Sequence, residues 1–198
     1  MREKQIILAA KVLSVVFTPF YLPLLGLVSL LTLTYLSLLP LTYKLFLLFT
    51  FWMFTVFVPT MLIRLYRRYQ GWSLFELASR ERRVVSYLLC YYIMVAAHVP
   101  HFLGTILIAS LVIQVVCALV NLFVKISTHT AAIGGVTGAL MAFSLIFGFN
   151  PVWWLCVVLL IAGLLGTCRM ILRQHSLHQV VIGYLVGVVC AFVAVLVF

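Results

Sequence analysis

Val84 to Val124 carries no Asp, Glu, Lys or Arg. A membrane crossing takes about 20 apolar residues, so this stretch is too long for one span. It needs a break, and His98-Val99-Pro100-His101 provides one, because proline disfavours helix at the residue before it and donates no backbone hydrogen bond. The stretch reads as a hairpin of two helices, the first of them short. Similar punctuation divides the rest of the chain. A first span runs from about Val12 to Leu36 and holds Pro19 and Pro23, which kink it or make it re-entrant. Pro40 and Lys44 mark a turn before a span from Leu45 to Leu65. Further spans run from Ala131 to Phe149, from Trp153 to Gly166 after the Asn150-Pro151 turn, and from the His175 region to the C-terminus. The expectation is an all-α polytopic transmembrane bundle of about six or seven spans. It forms a single membrane domain over 1–198, with two N-terminal spans in 1–66, a basic interfacial segment in 67–83 and a helical core in 84–198.

Composition removes the alternatives. Hydrophobic residues make up 66% of the chain and charged residues 8%, with a mean hydropathy of +1.29, which leaves no room for a soluble domain. The basic start, MREKQIILAAKV, leads into a long apolar run without a small-residue cleavage site, so the first span is expected to be retained. The net charge is +10, and the acids are only Glu3, Glu76 and Glu81. Hard cations need several oxygen ligands and zinc needs clustered His, Cys or carboxylate. Any chemistry should therefore need neither metal nor other cofactor. The five cysteines lie mostly in apolar runs without CxxC spacing, as small hydrophobes do.

Polar residues that remain in such a chain are costly and ask for a function. Thr167 to Gly187 gathers Arg169, Arg173, His175, His178 and Gln179. Gln179, Gly183 and Gly187 follow His175 at steps of four, which places them on one stripe of a helix. An arginine, an imidazole and an amide at one membrane face suit an oxyanion such as phosphate: Arg can hold it through two parallel hydrogen bonds, and His can act as nucleophile or proton carrier. The competing reading is of side chains reaching for lipid headgroups, which fits Arg67, Arg68 and Arg82 well. Lys125, Ser127, Thr128 and His129 precede the glycine-rich start of another span, where a helix N-terminus would offer amides to an anion. Counting crossings puts Arg80 and Arg83, then Lys125 and His129, then Arg169 and His175 on one side. His98 and His101 fall on the other and read as turn residues.

Arg169, five residues, His175, three residues, Gln179 and then VVIG resembles the third signature of the type 2 phosphatidic acid phosphatase superfamily, Ser-Arg, five residues, His, three residues, Asp. Cys168 stands at its Ser and Gln179 at its Asp. Ile126-Ser127-Thr128-His129 is similar to the second signature, Pro-Ser-Gly-His, at Ser and His. The wider KISTHTAAIGG, and the Arg-x-x-Arg of Arg80 and Arg83, resemble a compact bacterial branch. The usual first signature, Lys, six residues, Arg-Pro, is not present in that form. The resemblance spans about Ser79 to Gly187 and implies that 84–198 is a catalytic core. It implies a metal-independent phosphatase acting on a lipid phosphate or diphosphate. His175 would be the nucleophile that forms a phosphohistidine, and His129 the acid that protonates the leaving oxygen. Arg80, Arg83, Lys125, Ser127, Thr128 and Arg169 would hold the phosphate, while Gln179 orients His175. The expected partners are membrane lipids and a phospholipid, prenyl diphosphate or lipid A type substrate, not nucleic acid. A non-catalytic binder or transporter of anionic lipid is the alternative. Basic residues on the motif side favour the cytoplasmic face. The resemblance favours the outer face of a bacterial inner membrane, and that face is the expectation.

Overall fold

The computed structural model describes residues 2–19, 21–33, 35–61, 64–65 and 87–198. Arg80 and Arg83, and the basic segment expected along the headgroups from residue 66 onward, lie outside the described residues.

Among the described residues every regular element is helical: α1 Arg2–Val16, α2 Leu22–Leu33, α3 Leu41–Met61, α4 Tyr87–Ala96, α5 His101–Val120, α6 Thr128–Phe147, α7 Val152–Ile171 and α8 Leu177–Val197. Five of these, α3 and α5 to α8, are long and apolar enough to cross a membrane. The break expected in Val84 to Val124 occurs where proline dictates it. α4 ends in a turn at His98, whose φ is 51°, and Pro100 caps α5.

Val12 to Leu36 is not one helix. α1 stops at Val16, a turn follows around Pro19, and α2 begins at Leu22. Pro19 lacks the N–H and the free φ that continuation would require, and the two pieces pack on different neighbours. α1 lies against α7, whereas α2 lies against α3, α5 and α6. Proline also marks α3, where a wider π turn spans Met53–Phe57. Pro59 donates nothing to Thr55 four residues earlier, and the wider turn accommodates that loss.

The most extensive helix contact is between α6 and α8. Each contributes two glycines spaced by four, Gly134 and Gly138 on α6, Gly183 and Gly187 on α8. The spacing puts each pair on one helix face, as small-xxx-small pairs do in membrane helices. A methyl group on Gly134 or Gly138 would collide with the carbonyls of Tyr184 or Val188. One on Gly187 would collide with the carbonyl of Ala131, and one on Gly183 would sit 2.7 Å from that of Ser127. The two backbones thus meet without side chains between them. α6 is accordingly the central helix, buried from Ile133 to Leu140.

The ends of the bundle are distinct. At one end the α5–α6 and α7–α8 connections come together. At the other, Phe102 of α5 meets Phe147 of α6 edge to face, with ring centroids 5.1 Å apart. The core between them is apolar, built on residues such as Leu27, Leu47, Phe51, Leu103 and Phe143.

Candidate functional site

The two polar motifs meet at the end where α6 and α8 begin. Ser127 N donates to the main-chain carbonyl of Gln179 at 3.2 Å. This bond joins the loop before α6 to the first turn of α8, continuing the contact that the glycine pairs begin. Ser127 is fully buried and caps α6: its Oγ accepts from Thr130 N at 3.4 Å, and its carbonyl accepts from Ala131 N and Thr130 Oγ1, each at 3.0 Å. The loop ahead of it is pinned by Asn121, whose Oδ1 accepts from Ile126 N at 2.8 Å. Lys125 lies on that loop and is exposed; Thr128 and His129, both half-buried, form the first turn of α6. The amides of such a turn have no acceptor within their own helix, which leaves this end electropositive.

His175 sits in the turn between α7 and α8. Its Nδ1 lies 3.2 Å from Gln179 Oε1, and the same oxygen accepts from Ser176 N at 3.2 Å. An N–H pointed at this atom requires it to be the amide oxygen, an acceptor only, so Nδ1 of His175 must carry the ring proton. Nε2 then presents its lone pair. Burial holds the imidazole below its ordinary value of 6.5, and the positive charges of Arg169 and Lys125 push the same way, against the bond to Gln179. His175 is therefore neutral at physiological pH.

Arg169 projects from the last turn of α7. Its Nη1 donates to Ser14 Oγ at 2.9 Å, and its Nε is buried without a partner among the described residues. A buried guanidinium N–H left open is expensive, so an acceptor brought to this end would find a donor in place. Ser14 was not legible as a participant in the sequence. It stands between Leu13 and Val15 on α1, far from the motifs in sequence, and only the packing of α1 against α7 brings it to Arg169.

The structure brings together Lys125, Ser127, Thr128, His129, Arg169, His175 and Gln179 at one end of the bundle. His178 is exposed on α8, and His98 and His101 lie at the opposite end, where His101 Nε2 is 3.2 Å from Tyr91 OH. What has gathered is a set of cations and first-turn amides with two imidazoles, His129 and His175, an arrangement that attracts oxyanions.

Among the described residues the fold is thus all-helical, with five helices long and apolar enough to cross a membrane. Compared with family models, curated proteins and solved structures, the chain matches none.

Proposed function

We propose that the protein is a metal-independent phosphatase of the membrane, which removes phosphate from a lipid phosphate or diphosphate. The observation that carries this reading is the contact of His175 Nδ1 with Gln179 Oε1, which leaves Nε2 with its lone pair at the end of the bundle that also holds Arg169 and Lys125. In the proposed reaction Nε2 attacks phosphorus in line and the bond to the leaving oxygen breaks. His129 protonates that oxygen. Water then attacks the phosphohistidine, His129 takes its proton, and the P–N bond breaks to release phosphate. Arg169 and Lys125, with the first turn of α6, counter the charge spread over the three equatorial oxygens in the transition state. Arg80 and Arg83 belong to the same proposal through their sequence pattern. Ser127 shapes the loop through its cap.

The reading includes about six or seven crossings, the five long helices being completed by α4 and by the broken first span from α1 into α2, and a site on the outer face of a bacterial inner membrane. One observation favours a second reading, a non-catalytic binder or transporter of anionic lipid. The group against His175 Nδ1 is a neutral amide, which orients an imidazole without stabilising its charged form. The discriminating experiment is phosphate release from phosphatidic acid and prenyl diphosphates by purified protein, with and without chelator. Release that survives chelation supports the phosphatase; saturable lipid binding without release supports the binder.

A further inference from the structure

A cavity of about 200 Å³ opens beside the first turn of α6. Thr128, Ala132 and Ala139 mark its course down α6, and α5 forms the facing wall from Ala118 to Ile106. Pro19 and Pro23 close another side, so the break that divides α1 from α2 also shapes this space. The walls are mostly apolar, which fits a hydrocarbon chain running down from the cationic end.

Gln114 stands among them, and its Oε1 is buried without a hydrogen-bond partner among the described residues. The nearby Ser110, also on the wall, already donates to the Ile106 carbonyl at 2.8 Å. A buried carbonyl oxygen with no donor is destabilising, and an apolar residue of similar volume would avoid that. The depth of Gln114 follows from its neighbour. Ile113 Cδ1 lies where a methyl group on Gly135 would be, so this part of α5 is level with Gly135. Gly135 is about two turns, roughly 10 Å, below Thr128 at 1.5 Å per residue.

We propose that this cavity takes one chain of a lipid phosphate that carries a hydrogen-bond donor near its head, and that Gln114 selects for that donor. The donor is a hydroxyl or an amide N–H about 10 Å from the phosphate. The phosphate would be held at the α6–α8 end, as in the function proposed above, on which this inference rests. The remainder of the chain lies along α5 and α6 toward Ala139. A chain without the donor still fits but leaves Gln114 Oε1 unpaired, so discrimination operates through that desolvated oxygen.

The test uses purified full-length protein in detergent and two phosphatidic acids, one with 3-hydroxymyristoyl chains and one with myristoyl chains. A second pair has its chain N-linked or O-linked to the same phosphorylated head and separates amide from hydroxyl as the source of the donor. Binding is measured by native mass spectrometry, which does not require turnover, and phosphate release is followed in parallel. Wild type should bind at least one donor-bearing lipid about five- to tenfold more tightly than its donor-free counterpart, the worth of one net hydrogen bond. Gln114→Met should abolish that preference and bind the donor-free lipid at least as well as wild type does. Gln114→Leu serves as a second apolar variant, and both are compared with wild type for monodispersity and thermal midpoint. Equal binding within every pair by wild type, or a preference that survives in both variants, overturns the proposal. A preference without any phosphate release would sink the phosphatase reading and leave the chain site standing. Release without preference would do the reverse.

Discussion

Gln179 Oε1 lies 3.2 Å from Nδ1 of His175 while it also accepts from Ser176 N at 3.2 Å. One amide oxygen therefore fixes the tautomer of the imidazole and ties down the N-terminus of α8. Gln179→Glu keeps the length of the side chain, and so an acceptor for both donors, and adds a negative charge beside the ring. It should raise the His175 pKa and increase the single-turnover rate of phosphate release roughly tenfold, equivalent to about 1.4 kcal/mol of barrier. Gln179→Leu removes the acceptor and should lower the rate by a similar factor or more. A Glu variant slower than wild type would mean that the imidazole does not acquire charge in the rate-limiting step.

His175→Ala should reduce phosphate release to background while leaving the elution profile and thermal midpoint close to those of wild type, because a half-buried turn residue adds little to packing. Trapping provides a direct readout. Labelled lipid phosphate quenched in alkali should leave acid-labile label on wild type and none on the variant. Residual release above a few per cent, or label retained on the variant, would place the nucleophile elsewhere.

The neutral state of His175 has a pH consequence whose sign is fixed. Its protonated form is disfavoured, so the imidazole remains neutral as pH falls past 6.5 and charges only below that value. Lys125→Ala removes one of the charges responsible and should move protonation upward, toward the ordinary range. Carbethoxylation needs a neutral imidazole, so its rate at position 175, resolved by mass spectrometry, reports the titration without substrate. A midpoint unchanged or lowered in Lys125→Ala would show that Lys125 does not act on the ring.

Much of the fold was legible because its causes are local. Pro100 cannot extend α4 into α5, and the loops around Asn150-Pro151 and after Ile171 lie where the apolar runs end. The glycine-rich start of α6 and the stripe of Gly183 and Gly187 below His175 were readable. That the two sets of glycines pack on each other was not, since a stripe in sequence does not name its partner. The convergence of Lys125 and Ser127 with His175 followed from the order of crossings. The distances, the burial of Ser127 as a helix cap, the bond from Arg169 to Ser14 and the position of Gln114 on a cavity did not. Each depends on which helix packs against which, and α1 packs where it does only because the first apolar run is broken at Pro19.

The α6–α8 contact makes its own prediction. A methyl group at Gly187 meets the carbonyl of Ala131 and cannot be accommodated without separating the helices, whereas one at Gly163 on α7 meets nothing within 4 Å. Gly187→Ala should destabilise the protein by about 1–3 kcal/mol, as overpacking does, and should disturb the register that brings Ser127 to Gln179. Gly163→Ala should be neutral or stabilising by up to about 1 kcal/mol from helix propensity. Thermal midpoints of the two variants in one detergent make the comparison. Equal effects would contradict a backbone-to-backbone interface.

Charge distribution and the proposed chemistry point the site toward opposite faces of the membrane. Arg173 sits exposed in the turn beside His175, with φ 52°, and the concentration of basic residues at this end favours the cytoplasm. Those same charges are what an anionic substrate would require, so they do not report topology alone. The proposed function expects the outer face. Asn150 lies exposed in the α6–α7 connection at the other end, which makes a matched pair of probes possible. In a background freed of native cysteines, Arg173→Cys should react with a membrane-impermeant maleimide in intact cells, and Asn150→Cys only after permeabilisation. The opposite pattern would put the site in the cytoplasm. The substrate pool would then be the inner leaflet, and the outer-face assignment would be withdrawn without affecting the chemistry proposed for His175.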